Sequence, residues 1–417
     1  DRAMKFKVGA GALRKAWEQV SPFASGRKVL PILTMIKVDA RGEELILTAT
    51  NMVRGIELRL EGVEVEEAGE GLLPAKETLM LLRHIDPDDV ITIETPGKGI
   101  NYIKRATLKF KDGEYHLPVF GALDAFPDID FNLKNPVVVK VDGGQFAQAL
   151  KMVMPFAETN RRYTSLDVVC FSLMPDGAFE LVATDTYKLG LARFDGLAEV
   201  KEPMLVVVPV SLLNGVPLVC SKEDEITLRL DRGAIVIEGS NWRLLARSTN
   251  VFFPDNYHKT IPDPSDLNVS LTFNLRKIPT FLQRVKVEDR SGGRGKSVVR
   301  VRIGADPQTQ TVELLASKDE GIEEEVVATQ TLSLSADSGE KIEGVMDVKV
   351  WFYRSSFETI LNAVRDYPVK VWLRKRMPER KIGLMMVETE TLPFKFIALL
   401  AALERDEEIG GGEKTEN

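Results

Sequence analysis

Two cysteines and three histidines are all that 417 residues hold of thiol and imidazole metal ligands. Cys170 and Cys220 lie 50 residues apart with no Cys or His at ligand spacing. That excludes a zinc ribbon or finger and a disulfide framework, and it predicts two reduced thiols in apolar strands or helix ends. His84, His116 and His258 are scattered. His116 alternates with Tyr115 and Leu117 in a strand-like run, and His84 closes a helical pattern where a cation suits the dipole. No metal site or catalytic triad emerges from them. No apolar run approaches the roughly 20 residues of a membrane span, and no secretory h-region opens the chain. Met4-Lys5-Phe6-Lys7 reads as the native start, with Asp1-Arg2-Ala3 an added leader set aside from the fold. No glycine-rich phosphate loop and no nucleophile–base pair is present, so the sequence implies neither an enzyme nor a cofactor. Asp185 and Asp255, the carboxylates one would test as catalytic, have no such company. Aromatics make up 7% and sit mostly at strand positions, so no stacking platform for single strands is evident. Basic excess is lacking as well: the net charge is −7. That argues against a simple basic nucleic-acid binder, although distribution matters more than the sum.

What is present is an ordinary globular composition, 44% hydrophobic and 28% charged, on a chain long enough for two to four domains. Its organising stretch is Phe179-Glu180-Leu181-Val182-Ala183-Thr184-Asp185-Thr186-Tyr187-Lys188-Leu189. An earlier echo is Leu45-Ile46-Leu47-Thr48-Ala49-Thr50-Asn51-Met52, and a later one is Val312-Glu313-Leu314-Leu315-Ala316-Ser317-Lys318-Asp319. Ala49, Ala183 and Ala316 are 134 and 133 residues apart. Two other anchors give nearly the same period. Leu72-Leu73-Pro74 returns as Val207-Val208-Pro209, and Phe126-Pro127-Asp128 returns as Phe253-Pro254-Asp255.

Each repeat reads as strand, helix, several strands, a second helix and further strands. In the first, Leu13, Trp17 and Val20 share one face of a helix over 10–20. The second helix follows Pro74 and runs to about His84, and the acidic run 61–70 reads as a solvated loop. In the second, Phe146, Leu150 and Val153 mark the helix, and Ser211 to Val216 a short second one. In the third, helices are expected over 275–287 and about 355–364, with a Gly, Ser and Arg-rich loop over 288–296. Thr50-Asn51 and Ser317-Lys318 read as scaffold turns. The fold class expected is α+β, with three tandem domains at 4–131, 132–264 and 265–403, each with two helices among antiparallel strands, and an acidic tail at 404–417.

Charge is uneven across this plan. The six expected helices carry +7 against −7 for the chain, so everything else carries −14. If the helices share one surface, that surface is positive on an acidic protein and suits a phosphate backbone. The simpler alternative is that helices carry more Lys and Arg on solvated faces.

These residues resemble the bacterial sliding clamp family, the β subunit of DNA polymerase III, over roughly 4 to 400. The resemblance is carried by Gly26-Arg27-Lys28-Val29-Leu30-Pro31-Ile32-Leu33, by Val182 to Leu189, by the two Phe-Pro-Asp closures, and by Phe352 with Ile360-Leu361. It implies three tandem DNA-clamp domains per chain forming half of a ring. It further implies a head-to-tail homodimer around duplex DNA in the cytoplasm, at the bacterial nucleoid, with no membrane and no cofactor. Expected partners are the replicative polymerase, the clamp loader and repair proteins, through short linear peptides. Arg27 matches a family Arg in a DNA-reaching loop, and Arg161 and Arg162 match a basic stretch near DNA. Arg14, Lys15, Lys76, Arg83, Lys151, Arg276, Lys277 and Arg284 follow from helix position. The implied peptide groove has Thr184, Tyr187, Lys188 and Leu189 on one wall, with Leu166, Pro254, Thr260, Ile261 and Leu399 as further lining. Tyr115 and Leu117 match one side of the dimer interface, and Lys286 and Val287 fall at the other.

Two departures stand out. The family's terminal Met-Pro strand is here Ile397-Ala398-Leu399-Leu400 followed by a tail, and the Asn256 region is one residue longer. A divergent scaffold that binds partner peptides without encircling DNA is the second reading.

Overall fold

The structure, a computed structural model, describes residues 4–26, 30–96, 104–158, 166–279, 281–283, 298–319, 324–375, 383–389 and 391–403. The chain forms two compact units. One comprises Asp1–Leu150, Cys170–Phe179 and Asp195–Val251, and the other Lys151–Val169, Glu180–Phe194 and Phe252–Asn417.

In the first unit, strand Met4–Gly9 buries alternate residues and feeds helix Ala10–Val20, whose Leu13, Trp17 and Val20 are fully buried on the face the spacing predicts. Trp17 is fixed by its indole Nε1–H, which donates to the Ala75 carbonyl at 2.9 Å and so ties this helix to helix Ala75–Leu82. An eight-stranded sheet runs Val137–Val141, Ile226–Leu230, Ala234–Glu238, Trp242–Arg247, Arg54–Glu61, Glu44–Thr50, Met35–Arg41, Gly69–Pro74. Its middle joins the first repeat to the second, with Leu58 opposite Trp242 and Arg54 opposite Ala246. Arg54 reinforces that join. It is buried, and its guanidinium donates to the carbonyls of Pro22, Leu212 and Asn214 (2.7 Å to Asn214) and lies 5.0 Å from the Phe23 ring centroid. Burial pushes its pKa down to about 10.

In the second unit, strands Phe179–Thr184, Lys188–Phe194, Lys395–Ala401, Leu384–Thr389, Val369–Arg374, Val269–Thr272 and Lys341–Gly344 lie side by side. A four-stranded sheet runs Glu324–Ser333, Thr311–Asp319, Val298–Asp306, Val348–Tyr353, and helix Arg354–Val364 buries Phe357, Ile360, Leu361 and Val364.

Four local expectations are corrected. The acidic run is not simply a loop. Glu64–Glu67 is an edge strand on Met4–Gly9, drawn in because Lys5 and Lys7 face Glu66 at 2.6 and 2.8 Å. The helix over 211–216 is two short helices, Val210–Leu213 and Val216–Cys220, parted by Gly215 at φ +88°, a conformation glycine adopts without steric cost. Ser317-Lys318 is no turn, because the strand continues to Asp319 past a bulge after Ala316. The third repeat's first helix begins as a 3-10 turn, Leu275–Lys277, held by the Asn274 side chain capping Arg276 N–H. Its expected end, the loop 288–296 and the tail lie outside the described residues. Both cysteines are buried free thiols, and burial raises the Cys220 pKa.

Candidate functional site

The implied groove residues all fall in the second unit. Its core is the connection Thr184–Lys188. The Thr184 hydroxyl donates to the Lys188 carbonyl at 2.7 Å and accepts from Thr186 N–H at 3.1 Å, while Asp185 Oδ1 accepts from Tyr187 and Lys188 N–H at 3.0 and 2.8 Å. These short polar side chains close the turn on itself. The turn forces Thr186 to φ +79°, costly for a β-branched residue, and projects Tyr187 into solvent at 60% exposure. Lys188 is buried, with Nζ 2.5 Å from Asp185 Oδ2, so its cation braces the turn rather than facing outward.

The floor comes next. Leu189 lies opposite Leu399 and Lys188 opposite Leu400 on the neighbouring strand, and Ala401 N–H donates to the Tyr187 carbonyl at 2.7 Å. The apolar Ile397–Leu400 run that stands where Met-Pro was expected therefore supplies a paired strand. Leu166, Leu189 and Leu399 are buried, with Leu166 pinned through its carbonyl to Glu158 N–H at 2.9 Å. Pro254 and Ile261 are half-buried and Thr260 is exposed. Thr260 closes the 3-10 turn Tyr257–Thr260 by donating to the Tyr257 carbonyl at 2.6 Å.

Sequence reasoning missed what holds this segment. Glu180, 1% exposed, accepts from Arg193 Nη1 at 2.9 Å, from the Tyr257 hydroxyl at 2.5 Å and from His258 Nε2 at 2.8 Å. The available signal was a lone acid in the apolar run Phe179-Glu180-Leu181-Val182, with a basic residue thirteen positions on.

Of the residues assigned to DNA, Lys15, Lys76 and Lys151 are exposed with no ion pair among the described residues. Arg14 is half-buried. Arg83 lies 3.8 Å from Glu18, Arg276 lies 3.4 Å from Asp366, and Lys277 is held by Glu340 at 2.7 Å. Arg27, Arg161, Arg162 and Arg284 lie outside the described residues. At the assigned interface Tyr115 is half-exposed on edge strand Gly113–Val119 and stacks on Phe110, whereas Leu117 is turned into the core. Lys286 and Val287 lie outside the described residues. Among the described residues no group of three or more His, Cys, Asp or Glu could hold a metal ion, and no helix is long and apolar enough to cross a membrane.

With this geometry in view, comparison with solved structures identifies the fold. The Caulobacter crescentus β sliding clamp superposes with a TM-score of 0.77 at 18% identity, covering 97% of this chain and 99% of that one. The Thermotoga maritima DNA polymerase III β subunit gives 0.76 at 16%, covering 97% and 100%. The molecule has the three-domain sliding-clamp fold. Residues 4–130 match the family model described as DNA polymerase III beta subunit, N-terminal domain. The β sliding clamp of Vibrio cholerae is 25% identical over 261 residues, 62% of this chain and 68% of its own. That of Staphylococcus epidermidis is 24% identical over 314 residues, 73% and 78%. Residues 4–130 thus match the N-terminal domain of the DNA polymerase III beta subunit, and the chain as a whole is similar to bacterial β sliding clamps and shares their fold.

Proposed function

We propose that two copies of this chain close head to tail into a ring around duplex DNA, and that the ring tethers polymerase, clamp loader and repair proteins through the Thr184–Leu189 groove. The observation that carries the reading is a pair of open strand edges. Inside the chain, Arg54–Glu61 pairs with Trp242–Arg247, and Lys188–Phe194 pairs with Lys395–Ala401. Glu324–Ser333 holds the corresponding place in the third repeat, and Gly113–Val119 the corresponding place in the first. Each is the edge of its sheet among the described residues. An unpaired edge seeks a strand, and a second copy offers both complements at once. Domains at 4–131, 132–264 and 265–403, with a tail at 404–417, fit this plan, as does a place in the cytoplasm at the nucleoid.

Topological linkage lets weak contacts suffice, so an acidic chain needs few cations. Lys15, Lys76 and Lys151, with Arg14, Arg83, Arg276, Lys277, Arg27, Arg161, Arg162 and Arg284, would supply them. The complex loaded on circular DNA should persist through gel filtration and be lost within minutes once the circle is cut. Equal loss from both forms would favour the scaffold reading, in which peptides bind without encirclement.

Griselimycin is bound to the Pseudomonas aeruginosa clamp, and we propose that it binds this chain at the groove and so serves as its probe. Tyr187→Ala with Leu189→Ala should weaken its binding at least tenfold and leave the dimer mass unchanged. Unchanged affinity refutes the groove assignment.

A further inference from the structure

The residues that would line the groove come from four stretches of chain, and one buried carboxylate ties two of them together: the paired strands on either side of Thr184–Leu189, and Phe253 to Ile261. Glu180 sits on strand Phe179–Thr184, four residues before Thr184. Alternation puts Glu180, Val182 and Thr184 on one face of that strand. The Thr184 hydroxyl bonds to Lys188, and the Arg193–Glu180 ion pair closes the far end, so Leu189, Leu191 and Arg193 lie on the same face of the next strand. Glu180 thus stands at one end of a sheet face and Thr184 with Leu189 at the other, about 13 Å along the strands. The stretch Phe253 to Ile261 reaches this face through Tyr257 and His258, which both donate to Glu180 Oε2. Tyr257 is itself buried, with Phe253 edge-on at 6.1 Å and the His258 ring at 4.1 Å.

A carboxylate with 1% exposure is stable only when its acceptors are filled. Arg193 supplies a counter-charge at Oε1, and Tyr257 and His258 fill Oε2, so the site is complete only when both strands and the Phe253–Ile261 stretch are in position. Hydrophobic packing alone tolerates sliding; this geometry does not.

We infer that Glu180 is a positioning residue for partner recognition: it fixes the Phe253–Ile261 wall, carrying Pro254, Thr260 and Ile261, at the spacing from Leu189 and Leu399 that a peptide's apolar anchors require. Nothing in Glu180 touches the peptide. It acts through Tyr257 and His258, and the inference rests on the groove reading above.

The experiment measures griselimycin affinity by titration calorimetry on the full-length protein, together with melting temperature and dimer mass. Glu180→Gln replaces one acceptor with a donor facing donors and should weaken binding about tenfold. Tyr257→Phe, which keeps the ring and should fold, should weaken it about threefold. The double variant should lose no more than Glu180→Gln alone, because both act through one bond. A triple apolar replacement, Glu180→Leu with Arg193→Leu and Tyr257→Phe, should recover the melting temperature, as replaced buried ion pairs do, but not the affinity. Wild-type affinity in Glu180→Gln or Tyr257→Phe, additive losses in the double variant, or recovery of affinity by the apolar triple would each overturn the inference. No binding by the wild-type protein, or none lost in the Tyr187→Ala, Leu189→Ala control, would instead remove the groove reading on which it rests.

Discussion

At the scale of single residues, the two corresponding turns of the first and second repeats are the clearest comparison. Thr50 and Asn51 make the bonds that Thr184 and Asp185 make. The Thr50 hydroxyl donates to the Arg54 carbonyl at 2.8 Å and accepts from Met52 N–H at 3.0 Å, and Asn51 Oδ1 accepts from Arg54 N–H at 2.9 Å. Met52 takes φ +75° where Thr186 takes +79°. The turn is therefore a property of the Thr-Asx pair, and the strained residue is whichever one stands third. Replacing Thr186 by Gly removes a Cβ from a left-handed position, and the protein should gain about 1 kcal/mol in urea unfolding after the added chain entropy is offset. No gain would mean that the Thr186 side chain makes a compensating contact. What separates the two turns is the residues they carry: Tyr187 and Leu189 in one, Val53 and Gly55 in the other. Gly55 leaves room that Ile129 occupies, since a Cβ there would lie 2.4 Å from Ile129 Cδ1. The first turn is closed by its own chain, and the second keeps a leucine floor.

At the scale of elements, the edge strand Glu64–Glu67 depends on charge where most strands depend on burial. Its residues are largely exposed, and Glu66 meets both Lys5 and Lys7. Hydrogen bonds from Lys5 and then Lys7 hold the Glu66 carboxyl down to about 2, against 4.5 for an unpaired glutamate. The folded value lies below the unfolded one, so this pairing contributes fully above about pH 4.5 and is lost as the pH falls toward 2. Amide exchange, corrected for its intrinsic rate, should speed up in Glu64–Glu67 across that window, before the central strands of the same sheet respond. Strand Lys188–Phe194 contrasts with it. Gly190 accepts the Phe156 ring so closely that an added Cβ would lie 2.5 Å from it, so packing holds this strand alongside the ion pairs of Lys188 and Arg193.

At the scale of the whole molecule, the proposed ring depends on Gly113–Val119 and Glu324–Ser333. Tyr115 and Val326, about half exposed at 48% and 54%, are apolar side chains that those edges present. Placing a cation on both, Tyr115→Lys with Val326→Lys, sets like charges on surfaces that would have to meet, whereas neither change reaches a core. Light scattering should then give the 46.4 kDa mass of one chain, where the proposed dimer of the unaltered protein should give twice that. A dimer that survives the double change would move the interface elsewhere.

The sequence by itself determined the repeat, and with it an α+β plan in three tandem copies, because a period near 133 residues in strand, turn and proline anchors needs no knowledge of contacts; the clamp came from the resemblance. The sequence also determined the faces of the amphipathic helices at Trp17 and Leu150, since 3.6-residue spacing is local. Through the resemblance it also proposed Thr184–Leu189 as one wall of a groove. Tertiary structure decided the remainder. The edge strand at Glu64 was invisible because charged residues adopt β pairing only when a basic strand lies alongside. The strand through Ser317-Lys318 looked like a turn by its place in the repeat, and it stays a strand because it lacks the Thr-Asx pair that closes one. Glu180 could not be read as a hub, since Arg193, Tyr257 and His258 meet it only after distant stretches of chain have packed, and a buried carboxylate takes its meaning from its donors.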